Sequence, residues 1–133
     1  MQTLPAKTWT ATTSASKKYL TREFTHRLAS RLNPKIYDVL FESPLTKGGH
    51  GEPDVVVYNK CKGWSSVMAI EICRTDEITD MLIIARELME KYFLLDFFLF
   101  DEDAGTWYNI RKNKMGYEIS ENTFFQGIAL DKL

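Results

Sequence analysis

Val55-Val56-Val57-Tyr58 and Ser66-Val67-Met68-Ala69-Ile70-Glu71-Ile72-Cys73 are strand-like runs on either side of a polar, Gly-containing stretch, Asn59 to Ser65. Two such runs joined by so short a connection read as a β-hairpin. With the turn centred on Lys62-Gly63, antiparallel registry sets residue 54 opposite residue 71. Asp54 and Glu71 then become cross-strand neighbours at roughly 5 Å between Cβ atoms. Alternation puts Ala69, Glu71 and Cys73 on one face and Met68, Ile70 and Ile72 on the other. Glu71 is therefore an acid within an otherwise apolar strand, and burying it without a partner is costly.

Carboxylates held that close repel, which raises one pKa unless a cation fills the gap. Oxygen ligands of this kind suit Mg²⁺ or Mn²⁺, with the Ile72 carbonyl as a third donor. A cation bound there matches the needs of phosphodiester hydrolysis, which requires a held phosphate and an activated water.

Outward from the hairpin, Leu20, Phe24, Leu28 and Leu32 recur every four residues after the capping residue Ser14, predicting a helix that Asn33 and Pro34 end. Ile36 to Phe41 reads as a strand, followed by the turn-rich stretch Ser43 to Pro53 with Gly48, Gly49 and Gly51. Downstream, Ile78, Met81, Leu82, Ala85, Met89 and Tyr92 recur at three and four, predicting an amphipathic helix. Leu94 to Phe100 is an apolar strand dense enough for a sheet interior. Thr106 to Arg111 and Tyr117 to Ile119 are shorter β segments. The order α-β-β-β-α-β with a C-terminal β appendix is an α/β fold. Met1 to Thr13 reads as a loose or edge segment.

The 133 residues, 44% hydrophobic and 26% charged, fit a single domain, residues 1–133, with a real core. No apolar run is long enough for a signal peptide or a membrane span. Only Cys61 and Cys73 are present, too few for a disulfide framework or a four-thiolate zinc site, so a cytoplasmic protein is expected. The net charge of −1 conceals +4 over Met1 to Pro53 and −5 over Asp54 to Leu133. A basic front half can meet phosphate.

Other chemistries find little support. Cys73 has no base placed to activate it and reads as a small buried residue. His26 and His50 lack ligand spacing. Lys47-Gly48-Gly49-His50-Gly51 is not a phosphate loop, because no Gly-Lys-Ser/Thr follows. Phe93, Phe97, Phe98 and Phe100 read as core, and Trp107 with Tyr108 as core or an exposed dimer face.

Glu52-Pro53-Asp54-Val55-Val56-Val57 followed by Ala69-Ile70-Glu71-Ile72-Cys73 resembles the PD-(D/E)xK motif of restriction-endonuclease-like nucleases. Arg86-Glu87-Leu88 running to Asp96-Phe97-Phe98-Leu99-Phe100-Asp101 is similar to the helix and following strand of a compact bacterial endonuclease-like family in that superfamily. The resemblance covers Ser14 to Arg111. It implies a restriction-endonuclease-like mixed central sheet flanked by helices, and a third acid from the first helix, where Glu23 matches. Glu23 also stands four residues from Arg27 and can simply pair with it. Cys73 occupies the place of the motif lysine, and a thiol cannot do the work of an ammonium. Lys60, Lys62, Arg74 and Arg86 are the local alternatives.

The leading expectation is a Mg²⁺- or Mn²⁺-dependent endonuclease-like protein acting on DNA. Asp54, Glu71 and Glu23 would be its acids, Asp54, Glu71 and Ile72 its metal ligands, and Lys17, Lys18, Arg22 and Arg27 its phosphate contacts. The second is a catalytically inactive relative serving nucleic-acid or protein interaction, as a homodimer. A third, an unrelated α/β protein, requires Asp54 and Glu71 to lie apart or to be salt-bridged individually.

Overall fold

A computed structural model of the protein describes residues 15–41 and 53–133. The first helix, α1, spans Ala15–Arg31. Lys17, Thr21, Leu28 and Leu32 are buried along it and Phe24 is half-buried, a stripe at spacings of three and four. Strands β1 (Tyr37–Phe41), β2 (Val55–Asn59) and β3 (Ser65–Cys73) follow, paired antiparallel. A 3-10 turn at Lys60–Lys62 joins β2 to β3. The Asn59 side chain accepts the Cys61 N–H at 2.9 Å, and Gly63 takes φ 66°, a value that suits glycine.

Helix α2 (Ile78–Tyr92) carries the chain over the sheet to β4 (Asp96–Asp101), which runs parallel to β3. A parallel neighbour needs such a crossover, whereas hairpins suffice elsewhere. β5 (Thr106–Asn113) and β6 (Gly116–Ser120) complete a six-stranded mixed sheet in the order β1-β2-β3-β4-β5-β6. These last two strands, expected as an appendix, extend the central sheet. The appendix is instead a separate two-stranded sheet, β7 (Phe124–Phe125) and β8 (Ile128–Ala129), too short for strand periodicity to reveal.

The sheet is covered on both faces. Val56, Ala69, Phe97, Leu99 and Ile110 pack with Met81, Ala85, Leu88 and Met89 of α2. Val55, Val57, Met68, Ile70 and Phe98 pack with Leu28 and Leu32 of α1. Trp107 belongs to this second core: it is 6% exposed, with the Phe24 and Phe100 rings at 5.3 and 4.9 Å. No helix among the described residues is long and apolar enough to cross a membrane. The segments Met1 to Thr13 and Ser43 to Glu52, with His50 and its neighbouring glycines, lie outside the described residues.

Candidate active site: two carboxylates and a lysine

The β2–β3 register decides the site. Near the turn, Asn59 faces Ser65, and that pairing continued unchanged would set Asp54 opposite Ile70. A bulge between Val57 and Tyr58, where Val67 has no opposite number on β2, shifts the pairing by one, giving Val57 opposite Met68 and Val55 opposite Ile70. Carried one residue further, this register places Asp54 against Glu71. The Asp54 N–H donates to Glu71 Oε1 at 3.1 Å, and the Ile72 N–H donates to Asp54 Oδ2 at 2.7 Å. Each carboxylate is thus clamped by the other strand's backbone.

The partner of both is Lys17, in the first turn of α1. Its Nζ donates to Glu71 Oε2 at 2.9 Å and stands 3.5 Å from Asp54 Oδ2. Relative exposure is 6% for Lys17, 7% for Asp54 and 1% for Glu71, so water screens these charges little. The two acids are neither apart nor individually salt-bridged; they share one ammonium.

Burial and then the neighbouring Asp54 charge push the Glu71 pKa well above the usual carboxylate range, against the opposing pull of Lys17. Burial likewise raises Asp54, against Lys17 and the Ile72 N–H. Burial lowers Lys17, but the Glu71 and Asp54 charges more than offset this and leave its pKa raised. The signs follow. Lys17 contributes stability at neutral pH that is lost as the pH rises through its raised pKa. Between the ordinary carboxylate range and the raised Glu71 pKa, the folded state holds more protons than the unfolded chain, so stability increases as pH falls across that window. Melting temperatures measured in EDTA should therefore climb on acidification across that window, and Glu71→Gln should flatten the climb. A steady fall in the wild type over the same window would contradict this ionisation pattern.

The other sequence candidates lie elsewhere. Glu23 is not drawn to the carboxylates: it pairs with Arg27 at 3.0 Å, and Arg27 also donates to the Leu133 carbonyl at 2.9 Å. Six residues past Lys17, Glu23 sits about 120° round the helix. Arg27 is thereby occupied in tying α1 to the C-terminal segment. Lys18 and Arg22 are exposed on α1, whereas Lys17, expected with them among the phosphate contacts, is buried. Lys60 donates to the Pro34 carbonyl at 2.7 Å, Arg86 lies over the Tyr117 ring, and Lys62 and Arg74 are exposed. Cys73 is buried, and burial followed by the Glu71 charge drives its thiol pKa upward, so it is a neutral thiol. The apolar stripe in the sequence leads back to Leu20, whereas the buried line runs through Thr21 to Lys17. A lysine at helical spacing behind Leu28 and Leu32 was the available signal.

No family model matches this chain, and no curated protein matches it. The fold is shared with a solved structure. The crystal structure of "a putative nuclease belonging to DUF820" from Anabaena variabilis ATCC 29413 superposes with a TM-score of 0.65 at 16% identity, over 90% of this chain and 76% of that one. A likeness at that identity shows a shared fold.

The donor set suits a hard divalent cation. Two buried carboxylates against one ammonium leave a net negative charge. The Ile72 C=O points to the same side of β3 as its N–H, toward Asp54, because a strand residue presents both groups to one neighbour. Among the described residues no cluster of three or more His, Cys, Asp or Glu side chains forms, so further ligands would be water and substrate oxygens, as Mg²⁺ prefers. A cation held by Asp54 and Glu71 would compete with Lys17 for the same oxygens.

Proposed function

We propose that this chain is a metal-dependent nuclease-type hydrolase of DNA phosphodiester bonds, following PD-(D/E)xK logic with its lysine moved from β3 to α1. One observation carries the reading: Lys17 meets both Asp54 and Glu71 although Cys73 holds the place of the motif lysine. The fold shared with the protein described as "a putative nuclease" supports it.

In this reading Asp54 and Glu71, with the Ile72 carbonyl, would hold Mg²⁺ or Mn²⁺, which would supply charge for the phosphate and acidify a water. The Ile72 and Asp54 N–H groups fix the carboxylate orientations before anything binds. Lys17, displaced from the carboxylates but tethered beside them, orients the water and offsets charge on the phosphate. The water oxygen would bond to phosphorus and give up a proton to solvent, one backbone P–O bond would break, and the departing oxygen would take up a proton from solvent, so that one water is consumed.

Titrating Mn²⁺ calorimetrically into the wild type and into an Asp54→Ala/Glu71→Ala variant tests the metal half of this reading. One ion bound by the wild type and none by the variant is expected. Absence of binding in both would leave Lys17, Asp54 and Glu71 as a structural ion cluster in a catalytically inactive module.

A further inference from the structure

Two rows of side chains run along α1, offset by one residue. Lys17 and Thr21, four apart, face inward; Lys18 and Arg22, also four apart, are the next positions round the helix and are exposed. Beside them lies a small polar cavity of about 120 Å³ lined by Lys18, Thr21, Arg22 and Phe41. Two of its lining residues connect to residues of the carboxylate site, one along α1 and one through the β1–β2 pairing. Thr21 is one helical turn, about 5.4 Å, along α1 from Lys17. Phe41 pairs with Val55, the residue after Asp54.

Thr21 is the unusual member. It is 1% exposed, and among the described residues its hydroxyl has no hydrogen-bond partner. A buried hydroxyl left unmade is a standing cost, and such groups call for an explanation. Among the described residues Lys18 and Arg22 form no ion pair, whereas Arg27 and Arg31 of the same helix are engaged with Glu23 and with the Leu133 and Lys132 carbonyls. One neutral donor and two cations around a cavity of this size match a phosphodiester oxygen pair, with the arginine able to grip it through two N–H groups.

We propose that Lys18, Thr21 and Arg22 form a phosphate cradle that seats a DNA backbone phosphate next to the one held at Asp54 and Glu71. This rests on the reading of that site as a nuclease centre and adds how the strand is positioned: by its backbone, without reading bases.

Binding of a fluorescein-labelled oligothymidylate, followed by anisotropy in EDTA across a range of salt concentrations, tests the cradle apart from metal and cleavage. Lys18→Gln/Arg22→Gln should weaken binding and reduce the slope of log affinity against log salt by about 1.4, as expected for two lost single-strand phosphate contacts. Thr21→Val should weaken binding about tenfold with the slope unchanged, while melting no lower than the wild type, because it removes a buried unpartnered hydroxyl. Lys112→Gln, on β5, should change neither. Thr21→Val binding like the wild type would overturn the cradle and leave diffuse attraction. Capture of inorganic phosphate without the oligonucleotide would overturn the DNA assignment. Because no metal is present, failure here leaves the Mn²⁺ titration standing, and failure of that titration leaves this result readable.

Discussion

Replacing Lys17 by methionine is expected to destabilise the protein by about 3–5 kcal/mol at neutral pH in the absence of metal, as for other buried pairs that lose one member. Lys17 is the cation that meets both Asp54 and Glu71, and all three side chains are at most 10% exposed. Removing it leaves two like charges clamped together by the strands that hold them. The cost should shrink on acidification, because a carboxylate already raised by burial can take up a proton instead of remaining charged. It should also shrink in a Lys17→Met/Glu71→Gln double variant, whose loss falls well short of the summed single losses. Urea unfolding of the four proteins measures this. A Lys17→Met loss below about 1 kcal/mol, in the range of exposed pairs, would mean that the ammonium is not holding the carboxylates.

The same substitution should act on metal in the opposite direction. With its competitor gone, the site of Lys17→Met should bind Mn²⁺ more tightly than the wild type, and saturating Mn²⁺ should restore more stability to the variant than to the wild type.

On activity the largest effect is expected from Asp54→Asn. The substitution keeps the shape that accepts the Ile72 N–H but removes the charge that opposes Lys17 and binds a cation. A metal at such a site contributes several kcal/mol to the transition state, so supercoiled plasmid nicking in Mn²⁺ should fall by about 100- to 1000-fold at an unchanged fold. Nicking by Asp54→Asn at the wild-type rate would place the chemistry elsewhere. Lys17→Met, assayed under the same conditions with metal present, should lose nicking while retaining bound Mn²⁺. Lys17→Arg should recover little, because a planar guanidinium cannot replace a compact ammonium between two buried carboxylates.

The juxtaposition of Asp54 and Glu71 was legible because two apolar runs flank them and a Gly-containing turn joins the runs at a countable distance. Its basis differs from simple counting, however. Turn-proximal pairs alone point to Ile70, and the bulge at Val57 and Tyr58 delivers Glu71. The α2 crossover and the buried β4 were legible from periodicity and apolar density. Lys17 as partner was not, since it lies 54 residues from Glu71 and only the packing of α1 on the sheet joins them. A helix read by its leucines hides a buried lysine, because Leu20 keeps the four-residue spacing as well as Thr21 and Lys17 keep theirs. Membership of β5 and β6 in the central sheet was equally out of reach, since strand periodicity says which face a residue takes and not which neighbour its strand pairs with.

The most direct test of the site is anomalous diffraction from crystals grown with Mn²⁺. One anomalous peak is expected between Asp54 and Glu71, beside the Ile72 carbonyl, with Lys17 Nζ moved off the carboxylates and still beside them. A peak elsewhere, or none with Lys17 still bridging Asp54 and Glu71, would contradict the proposed site.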